Sequence, residues 1–447
     1  MKVGFRTLGC KLNQSESEAL ASSFKNRGFF ITDAHGEADV YIVNTCTVTS
    51  KAEQKGRGII RRLSREHPRS VILVTGCYAQ LDSEALSALG PNVLVTGHDR
   101  KYQLLELARC LDQSGSCSGE ASFTALRESV IECLEGFSRS EPEFDGIFRF
   151  VADTYSFHSR AFLKIQDGCD HRCAYCRVRL ARGPSVSLSP EQVIARAEEL
   201  AERGYHELVL TGVNITAYRD PADRKYRLPE LVADLCASPK EFRLRLSSLE
   251  PEMIGDSLLQ AVVHPRVCPH FHIPIQSGSD RILKAVHRPY NSDRVREAVG
   301  ELRRRKNDPF IAADVIVGLP GEEEADFQAS LSLIEEIEPA ALHVFPFSPR
   351  PGTELYQAKR RVPERVAGAR AAQIRSAAED LHLAYLRRQE GRTACFLPED
   401  SVVVEGKAYR RGLTENYLHV LVPEGGEGPL PSEPLKVKLH IDHTRVY

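Results

Sequence analysis

The three cysteines Cys169, Cys173 and Cys176 are the residues of this sequence best suited to chemistry. Three thiols separated by three and then two residues can converge on one metal centre. They supply three ligands, whereas structural zinc takes four ligands and an ordinary four-iron cluster takes four cysteines. A four-iron cluster held by three thiolates leaves one iron open to a second molecule. The spacing therefore favours an open iron–sulfur site, and a zinc knuckle or a chance spacing is the alternative.

A second group of three cysteines lies near the N-terminus, each at the end of a predicted strand. Short apolar runs end at Cys10, Cys46 and Cys77, and such runs alternating with helices favour a parallel sheet. In a parallel sheet the loops after the strand C-termini form the ligand crevice, so these thiols can meet. Buried cysteines also end strands as small apolar residues. On the residues alone, a metal site and simple burial remain equally open.

A repeated strand-then-helix pattern must position the first group of cysteines. From Phe162 onward the pattern appears six times, which predicts a partial (β/α)6 barrel, short of the eight units of a full barrel. Its first strand ends at the loop Cys169–Cys176, and barrel chemistry belongs at the C-terminal ends of the strands. The predicted strands are Phe162–Gln166, Glu207–Thr211, Phe242–Ser247, Phe271–Ile275, Ala312–Val317 and Leu342–Phe347.

The whole chain is predicted to be an α/β protein with three parts. An N-terminal domain with a parallel sheet spans residues 1–135, and a linker rich in Ser, Gly and Glu spans 136–154. The partial barrel with a following helix spans 155–390. Short strands separated by Gly and Pro make a small all-β domain over 391–447.

Length and composition restrict the class of protein. The chain has 447 residues, enough for about three domains. Its start lacks the apolar core of a signal peptide, and no apolar run approaches the ~18 residues of a membrane helix, so we expect a cytoplasmic protein with no membrane partner. Twelve cysteines in a reducing compartment are more often metal ligands or buried thiols than disulfides. The net charge of −2 means that any RNA site is a local patch.

Eight further motifs extend along nearly the whole chain. They are Thr7–Glu18, Val43–Val48, Thr75–Gln80, Leu210–Asn214, Leu246–Pro251, His272–Ser279, Asp314–Gly321 and Ser348–Thr353. Together with the cysteine loop, in which an aromatic residue precedes the last cysteine, they resemble the methylthiotransferases of the radical S-adenosylmethionine (SAM) superfamily. Within that family, Leu8–Glu18 and Cys268–Pro274 are similar to the branch that acts on N6-threonylcarbamoyladenosine in tRNA.

The resemblance implies a radical-SAM barrel followed by a TRAM-like domain that grips tRNA. It implies SAM and two [4Fe-4S] clusters as cofactors, one cluster to cleave SAM and one to present sulfur. The implied ligands are an auxiliary trio, Cys10, Cys46 and Cys77, and a barrel trio, Cys169, Cys173 and Cys176. The implied activity is transfer of a methylthio group to carbon 2 of N6-threonylcarbamoyladenosine at position 37, beside the anticodon. The expected partners are tRNA, an unidentified electron donor and an unidentified sulfur source.

Residues at the strand ends are candidate SAM contacts. Tyr175 packs over the barrel cluster or near the adenine, or it simply fills the core. Glu207 opens the second barrel strand, where radical-SAM barrels often place a group for the SAM amino end, or it is a solvated strand-end acid. The other candidates are Gly212, Asn214, Gln276, Ser277, Gly278, Asp314 and Gly318. Residues 276–278 are candidates for contact with either the SAM ribose or the substrate, and the alternative for Asp314 is a strand cap.

RNA binding requires local groups of basic residues. In the C-terminal domain it requires Lys407, Arg410 and Arg411 on one face with Tyr409 and Tyr417 nearby for stacking; a solvated hairpin is the alternative. A helix of the N-terminal domain carries a second candidate patch, which a plain solvent surface would also explain: Lys51, Lys55, Arg57, Arg61, Arg62 and Arg65.

Other functions fit parts of the same pattern. The first alternative is methylthio transfer to another tRNA adenosine or to a ribosomal protein. The second is a non-catalytic iron–sulfur protein that binds RNA. Cleavage of SAM separates the enzymes from the non-catalytic protein, and the identity of the modified substrate separates the enzymes from one another.

Overall fold

The structure is a computed structural model that describes residues 1–33, 36–113, 122–136, 144–424, 433–442 and 445–446. Part of the expected linker 136–154 therefore lies outside the described residues. None of the described helices combines the length and apolarity that crossing a bilayer requires.

The N-terminal part is a five-stranded parallel sheet with helices on both faces, in the strand order β2-β1-β3-β4-β5. Its elements are β1 (Lys2–Thr7), α1 (Lys11–Lys25), β2 (Phe30–Asp33), β3 (Val40–Thr45), α2 (Ser50–Glu66), β4 (Val71–Gly76), α3 (Cys77–Leu81), α4 (Ser83–Ser87), β5 (Val93–Val95), α5 (Gln103–Gln113), α6 (Phe123–Gly136) and α7 (Phe144–Ile147). The predicted parallel sheet is confirmed.

The central strands of this sheet are buried at every position. Their residues, VYIVNT in β3 and VILVTG in β4, are almost all β-branched or apolar, which suits a strand covered on both faces. One apolar cluster joins the sheet to α1, α5 and α6, and a second joins the opposite face to α2 and α4. Because the strands are parallel, the chain leaves β1, β3 and β4 at one edge, where the three cysteines follow.

The central part contains six parallel strands that alternate with helices. Its elements are β6 (Ala161–Lys164), β7 (Gln166–Asp167), α8 (Val178–Arg182), β8 (Val186–Ser187), α9 (Pro190–Glu202), β9 (Glu207–Thr211), α10 (Leu228–Ala237), β10 (Arg243–Leu246), α11 (Asp256–Val262), β11 (His270–Gln276), α12 (Asp280–Ala285), α13 (Ser292–Arg305), β12 (Phe310–Val317), α14 (Glu324–Ile337), β13 (Ala341–Pro346) and α15 (Glu364–Gln389). The six predicted strands are confirmed as β6, β9, β10, β11, β12 and β13.

These six strands form an incomplete barrel. Two three-stranded sheets, β10-β9-β6 and β11-β12-β13, are joined by parallel bridges from Leu244 to Val267 and from Ser248 to His272. The last strand, β13, is an edge strand, and none of its residues is fully buried even though α15 packs beside it. The interior of the barrel is therefore open along β13.

The C-terminal part is an all-β sheet in the order β17-β14-β15-β16-β19-β18. Its strands are β14 (Thr393–Val404), β15 (Lys407–Thr414), β16 (His419–Pro423), β17 (Leu435–Lys438), β18 (Ile441–Asp442) and β19 (Arg445–Val446). Phe396 and Val420 of this sheet share an apolar cluster with Phe310 of β12 and Tyr385 of α15. The small domain therefore packs against the N-terminal ends of the barrel strands.

Candidate active site

The auxiliary trio is brought together at the edge of the N-terminal sheet. The thiol of Cys46 interacts electrostatically with those of Cys10 and Cys77, and Cys77 interacts with Cys10. Gly9 has a φ of +102°, and a Cβ added there would lie 2.7 Å from Cys46 Cβ. A side chain at position 9 would therefore occupy the space in which the thiols meet.

Two local features hold the three loops against one another. Asn13 donates from Nδ2 to the carbonyls of Leu8 (2.7 Å) and Thr45 (3.0 Å), which ties the loop of the first cysteine to that of the second. Gly76 has a φ of +98°, and a Cβ there would lie 2.4 Å from the Thr45 carbonyl oxygen. Glycine thus lets β4 turn directly into α3 at Cys77.

Burial disfavours the thiolate form of two cysteines of the auxiliary trio, Cys46 and Cys77. Burial raises the pKa of Cys46 to about 12 and also raises the pKa of Cys77. Cys10 caps the N-terminus of α1 and Cys77 begins α3, so two helix N-termini carry positive partial charge toward the trio. Thiolate is the form that binds iron, and iron supplies the missing positive charge. The donor set therefore fits an iron–sulfur cluster with three protein ligands.

Arg182, from α8 of the barrel, reaches across to the auxiliary trio. Its guanidinium donates from Nε to Cys77 Sγ over 3.0 Å and from NH2 to Asn13 Oδ1 over 2.7 Å. The same side chain donates from NH1 to Glu16 and to Asp167, each over 3.0 Å. One barrel residue thus binds an expected ligand and the two carboxylates behind it.

Two lysines complete a buried ionic network around these carboxylates. Lys101 lies 2.5 Å from Glu16, and Lys164 lies 2.9 Å from Glu16 and 2.6 Å from Asp167. Burial lowers the pKa of the neighbouring His98 to about 3, so its imidazole is neutral. Three cations therefore face two carboxylates. The remaining positive charge lies against the auxiliary trio and stabilises thiolate or an anionic cluster.

The barrel trio lies in the loop between β7 and α8. The thiol of Cys176 interacts electrostatically with those of Cys173 and Cys169, and burial raises its pKa to about 12. The Arg288 guanidinium donates from NH1 to Cys173 Sγ over 3.2 Å and pairs with Glu250. Three converging thiols and a cation that favours thiolate again fit an open cluster.

One cavity of about 180 Å³ lies beside Cys176 and the loop that follows Cys46. Its wall includes Val48 and Thr49, which closely follow Cys46. It also includes Tyr175, Arg177 and Val178, which lie next to Cys176 in the sequence. The lining residues are Val48, Thr49, Tyr175, Cys176, Arg177, Val178, Gln276, Asp314, Ile316, Phe345, Pro346, Phe347 and Ser348. The N-terminal sheet and the barrel therefore build this space jointly.

Hydrogen bonds across the cavity fix the two trios relative to one another. Arg177 donates from NH1 to Thr47 Oγ1 over 3.4 Å, so the residues directly after Cys176 and Cys46 are in contact. Glu53 of α2 accepts from Arg177 over 3.1 Å and also from Arg350. A carboxylate of the N-terminal part thus holds two arginines of the barrel part.

The structure brings three of the candidate SAM contacts to this cavity. Tyr175, Gln276 and Asp314 line it. Gln276 has a φ of +61° at the end of β11, just after an irregularity in the pairing with β12. Asn214 is buried at the end of β9, and its N–H donates to Gln166 Oε1 over 2.9 Å.

The glycine candidates and Ser277 have packing partners instead. A Cβ at Gly212 would lie 2.7 Å from Gln166 Oε1, and a Cβ at Gly318 would lie 2.6 Å from Ala367 Cβ. Gly278 approaches the backbone of Ala329, where a Cβ would lie 2.5 Å from the carbonyl oxygen. Ser277 is buried with its hydroxyl 3.3 Å from Ser330 Oγ. None of these residues lines the cavity described above.

The expectation that Glu207 receives the SAM amino group is wrong. Glu207 begins β9, so it lies at the N-terminal end of the strand, away from the cysteine loop. Its carboxylate is buried and accepts from Arg245 Nε (2.6 Å), Arg245 NH2 (2.9 Å) and Arg243 Nε (2.7 Å). The arginines also donate to backbone carbonyls of the C-terminal domain, including those of Cys395 and Thr414. Glu207 therefore fastens that domain to the barrel.

Asp314 forms a polar cluster with two histidines inside the barrel. Its Oδ1 accepts from His272 Nε2 (2.9 Å) and His343 Nδ1 (3.0 Å). The hydroxyl of Ser248 lies 2.6 Å from His272 Nδ1. Hydrogen bonds from the imidazoles lower the pKa of Asp314 well below its usual range, and the carboxylate raises the pKa of His343. The cluster therefore favours a negative Asp314 beside a protonated His343.

The proposed RNA contacts of the C-terminal domain do not share one face. Successive residues of β15 point to opposite faces, so Arg411 lies with Lys407 whereas Arg410 points the other way. Arg410 pairs with Glu424 (3.0 Å), and Arg411 pairs with Asp400. The grouping predicted from the sequence is wrong.

Tyr417 is also misplaced by the sequence prediction. Its ring is half-buried, with its centroid 4.3 Å from that of His270 and 5.0 Å from the Arg245 guanidinium carbon. Lys11 Nζ lies 5.5 Å from the same ring. Tyr417 therefore packs between the C-terminal domain and the barrel, against His270 and Arg245.

The basic helix α2 presents an ordered cationic face. Lys51 and Lys55 are exposed, and within the described chain neither has a hydrogen bond or an ion pair. Arg62 lies on the same face of the helix, and its Nε is 3.9 Å from the carboxylate of Glu66. Arg57 instead donates to the Tyr78 hydroxyl over 2.6 Å. The solvent-facing part of this patch thus consists of Lys51, Lys55 and Arg62, and it begins only a few residues after Cys46.

Sequence reasoning did not assign a role to several residues that complete the site. Arg182 follows the cysteine loop in the sequence, and nothing local indicates its bond to Cys77. Arg288 and Glu53 carry no local signal. His272 and Asp314 belong to two of the eight motifs, and their strand positions indicate that both face the barrel interior.

Two family models match the chain. The first, described as "Uncharacterized protein family UPF0004", matches residues 2–97, and the second, described as "Radical SAM superfamily", matches residues 163–334. Each match contains one of the cysteine trios.

Curated proteins match the chain over nearly its whole length. The chain is 38% identical to "Threonylcarbamoyladenosine tRNA methylthiotransferase MtaB" of Treponema pallidum, over 98% of this chain and 98% of the relative. It is 35% identical to the protein of the same name from Thermotoga maritima, over 93% and 90%. It is 33% identical to that from Bacillus subtilis, over 98% and 93%.

Solved structures support the fold. The chain matches the radical S-adenosylmethionine methyltransferase TsrM from Kitasatospora setae, whose structure holds cobalamin and a [4Fe-4S] cluster, with a TM-score of 0.52 and 14% identity. The match covers 79% of this chain and 77% of that chain. At this identity the likeness concerns the fold alone.

Proposed function

The chain belongs to the family of threonylcarbamoyladenosine tRNA methylthiotransferases, and we propose that it transfers a methylthio group to carbon 2 of N6-threonylcarbamoyladenosine at position 37 of tRNA. The observation that carries this proposal is one cavity whose wall combines residues around Cys176 with residues that closely follow Cys46, while each of these cysteines belongs to a converging trio. An open cluster held by each trio would supply a radical and a sulfur atom to a substrate bound in this cavity.

The cofactors are SAM and two [4Fe-4S] clusters, and the cysteines are the residues that would hold the clusters. When bound, these groups supply one-electron cleavage of SAM and a sulfur atom for transfer. The chain's own residues stabilise thiolate: Arg182 at Cys77 and Arg288 at Cys173. No side chain has to move a proton for hydrogen abstraction from carbon 2. The walls of the cavity instead orient the reactants and exclude water.

SAM and the substrate base share the cavity in this proposal. Tyr175, Gln276 and Asp314 are the candidate SAM contacts supported by their position in its wall. Asn214 supports the site from the end of β9, through the side chain of Gln166.

tRNA is the macromolecular partner, and the chemistry also requires an electron donor and a sulfur source. We assign residues 1–135 to the auxiliary-cluster domain, 155–390 to the barrel and 391–447 to a tRNA-binding domain. Within the last of these, Lys407 and Arg411 are exposed on one face of β15 and remain the candidate RNA contacts.

An anaerobic assay with defined substrates tests the proposal. The reduced, iron-loaded protein is given SAM and one of three substrates: tRNA carrying N6-threonylcarbamoyladenosine, tRNA carrying another adenosine at position 37, or ribosomal protein. We expect 5′-deoxyadenosine and, by mass analysis of nucleosides, a methylthio product with the first substrate. A methylthio product on one of the other substrates alone would reassign the substrate. Absence of 5′-deoxyadenosine would reject the enzyme and leave a non-catalytic iron–sulfur protein.

A further inference from the structure

Lys11 is a cation without a counter-ion at the open side of the barrel. It begins α1 directly after Cys10, and its side chain reaches the barrel interior, where Nζ lies 5.5 Å from the ring centroid of Tyr417. It interacts electrostatically with Arg160 and Arg245. Within the described residues its ammonium has no hydrogen bond and no ion pair. An ammonium held among guanidinium groups in this way calls for an anion.

The nearby carboxylate of Glu207 cannot be that anion. Both of its oxygens are occupied by Arg245 (2.6 and 2.9 Å) and by Arg243 (2.7 Å). Arg160 lies a further 3.8 Å from it. Three guanidinium groups therefore share one carboxylate before Lys11 is considered.

The remaining polar groups around Lys11 do not balance its charge. Glu399 lies 3.4 Å from Arg160, and Glu415 accepts from the Cys395 N–H over 2.6 Å. His270, which interacts electrostatically with Lys11, is buried, and its Nδ1 has no hydrogen-bond partner in the described residues. A positively charged place with a buried nitrogen lacking a partner is suited to an acceptor-rich anionic group.

Lys11 lies near a polar cluster that extends to the wall of the cavity. Lys11 interacts electrostatically with His343, which is largely exposed on β13 and bonded to Asp314 of the cavity wall. Phe345, two residues further along β13, lines the same cavity. His343 and Asp314 thus link the neighbourhood of Lys11 to the cavity wall.

The proposed substrate carries a carboxylate that matches this position. In N6-threonylcarbamoyladenosine, the threonyl carboxylate extends several bonds beyond the adenine ring. The Lys11 side chain begins one residue after Cys10, so a base placed beside the auxiliary trio would bring this carboxylate toward the Lys11 ammonium. We propose that Lys11 binds the threonyl carboxylate and so selects this nucleoside over adenosines whose N6 substituent is uncharged. The inference rests on the function proposed above.

A change in the substrate tests the proposal on the unaltered protein. The protein is given tRNA with N6-threonylcarbamoyladenosine or the same tRNA in which the threonyl carboxylate is a neutral carboxamide. A charge-assisted hydrogen bond lost in this way should lower kcat/KM about 10- to 100-fold. Equal rates on the two tRNAs would overturn the assignment to Lys11. No methylthio product on either tRNA, with SAM still cleaved, would instead reject the proposed function.

Two variants assign the preference to one residue. Lys11→Gln should lose activity on the acid by a similar factor and no longer distinguish the acid from the amide, whereas Lys11→Arg should keep the preference. The exposed Lys51 provides the control, because Lys51→Gln weakens general attraction to tRNA and should affect both substrates equally. Iron content and melting temperature check that Lys11→Gln retains its clusters and fold. A Lys11→Gln protein that loses the same factor on both tRNAs would overturn the proposal.

Discussion

Arg182 of the barrel donates from Nε to the sulfur of Cys77 over 3.0 Å, although the two residues are 105 positions apart. A ligand expected in one cluster is thus held by the part of the chain that carries the other cluster. The same guanidinium bridges Asn13, Glu16 and Asp167. The auxiliary site is therefore complete only when the barrel is in place.

Replacement of Arg182 should damage the auxiliary site specifically. In Arg182→Gln, Glu16 and Asp167 lose a buried partner, which should reduce the free energy of unfolding by about 3–5 kcal/mol. Iron bound to the auxiliary trio should also fall, which can be measured in a background where the barrel trio is replaced by alanine. Arg182→Lys keeps the charge but not the planar set of donors, so its stability and auxiliary iron content should lie between those of the unaltered protein and Arg182→Gln. Full auxiliary iron in Arg182→Gln would show that the bond to Cys77 is incidental.

The two trios should load iron independently of one another. Replacing Cys10, Cys46 and Cys77 by alanine should halve the bound iron and abolish methylthio transfer, while formation of 5′-deoxyadenosine continues. Iron analysis and a single-turnover assay check both results. Cys236 is a buried free cysteine far along the chain, and Cys236→Ala should leave the iron content unchanged. Unchanged iron in the triple variant would mean that the auxiliary site is misassigned.

Asp314 should control the protonation of His343. The carboxylate raises the pKa of His343, so their attraction is fully present below the ordinary histidine pKa and is lost as pH rises through the raised value. The pKa of Asp314 is lowered, so the same attraction is lost again as acid protonates the carboxylate. In Asp314→Asn the pKa of His343 should fall, as measured by NMR titration of labelled histidines. A His343 signal that titrates as before would contradict the observed hydrogen bond.

The cationic face of α2 should contribute to tRNA binding. Lys51 and Lys55 lie one turn apart and exposed. If each contacts a phosphate, the variant with both lysines changed to glutamine should bind tRNA more weakly, with a salt slope reduced by roughly 0.9 per contact on duplex and 0.7 on single strands. Filter binding over a range of salt concentrations measures this. Arg304→Gln on α13 is the matched control, and an equal loss in that variant would exclude a local contact.

Much of the architecture was predictable because it depends on local pattern. Apolar runs in β3 and β4 require a covered parallel sheet, and parallel strands bring the residues at their C-termini to one edge. The meeting of Cys10, Cys46 and Cys77 follows from that geometry. Likewise, the six strands of the barrel place the loop Cys169–Cys176 at the chemically active edge.

The errors arose where the end or face of a strand was overlooked. Glu207 is the first residue of β9, so it belongs to the end of the barrel opposite the cysteines, where Arg245 binds it. Arg410 and Arg411 are neighbours in a strand, so they cannot share a face. The bond between Arg182 and Cys77 is different, because a contact between distant parts of the chain leaves no periodic signal in either part.

The contacts made by Arg182, together with those of Glu53 to Arg177 and Arg350, have a consequence for chimeras. If the N-terminal domain were exchanged for that of a distant relative, the auxiliary cysteines of the new domain would lack the matching hydrogen-bond donors of the barrel. Recombination between the halves should therefore yield working hybrids only when the residues of this shared boundary are inherited together.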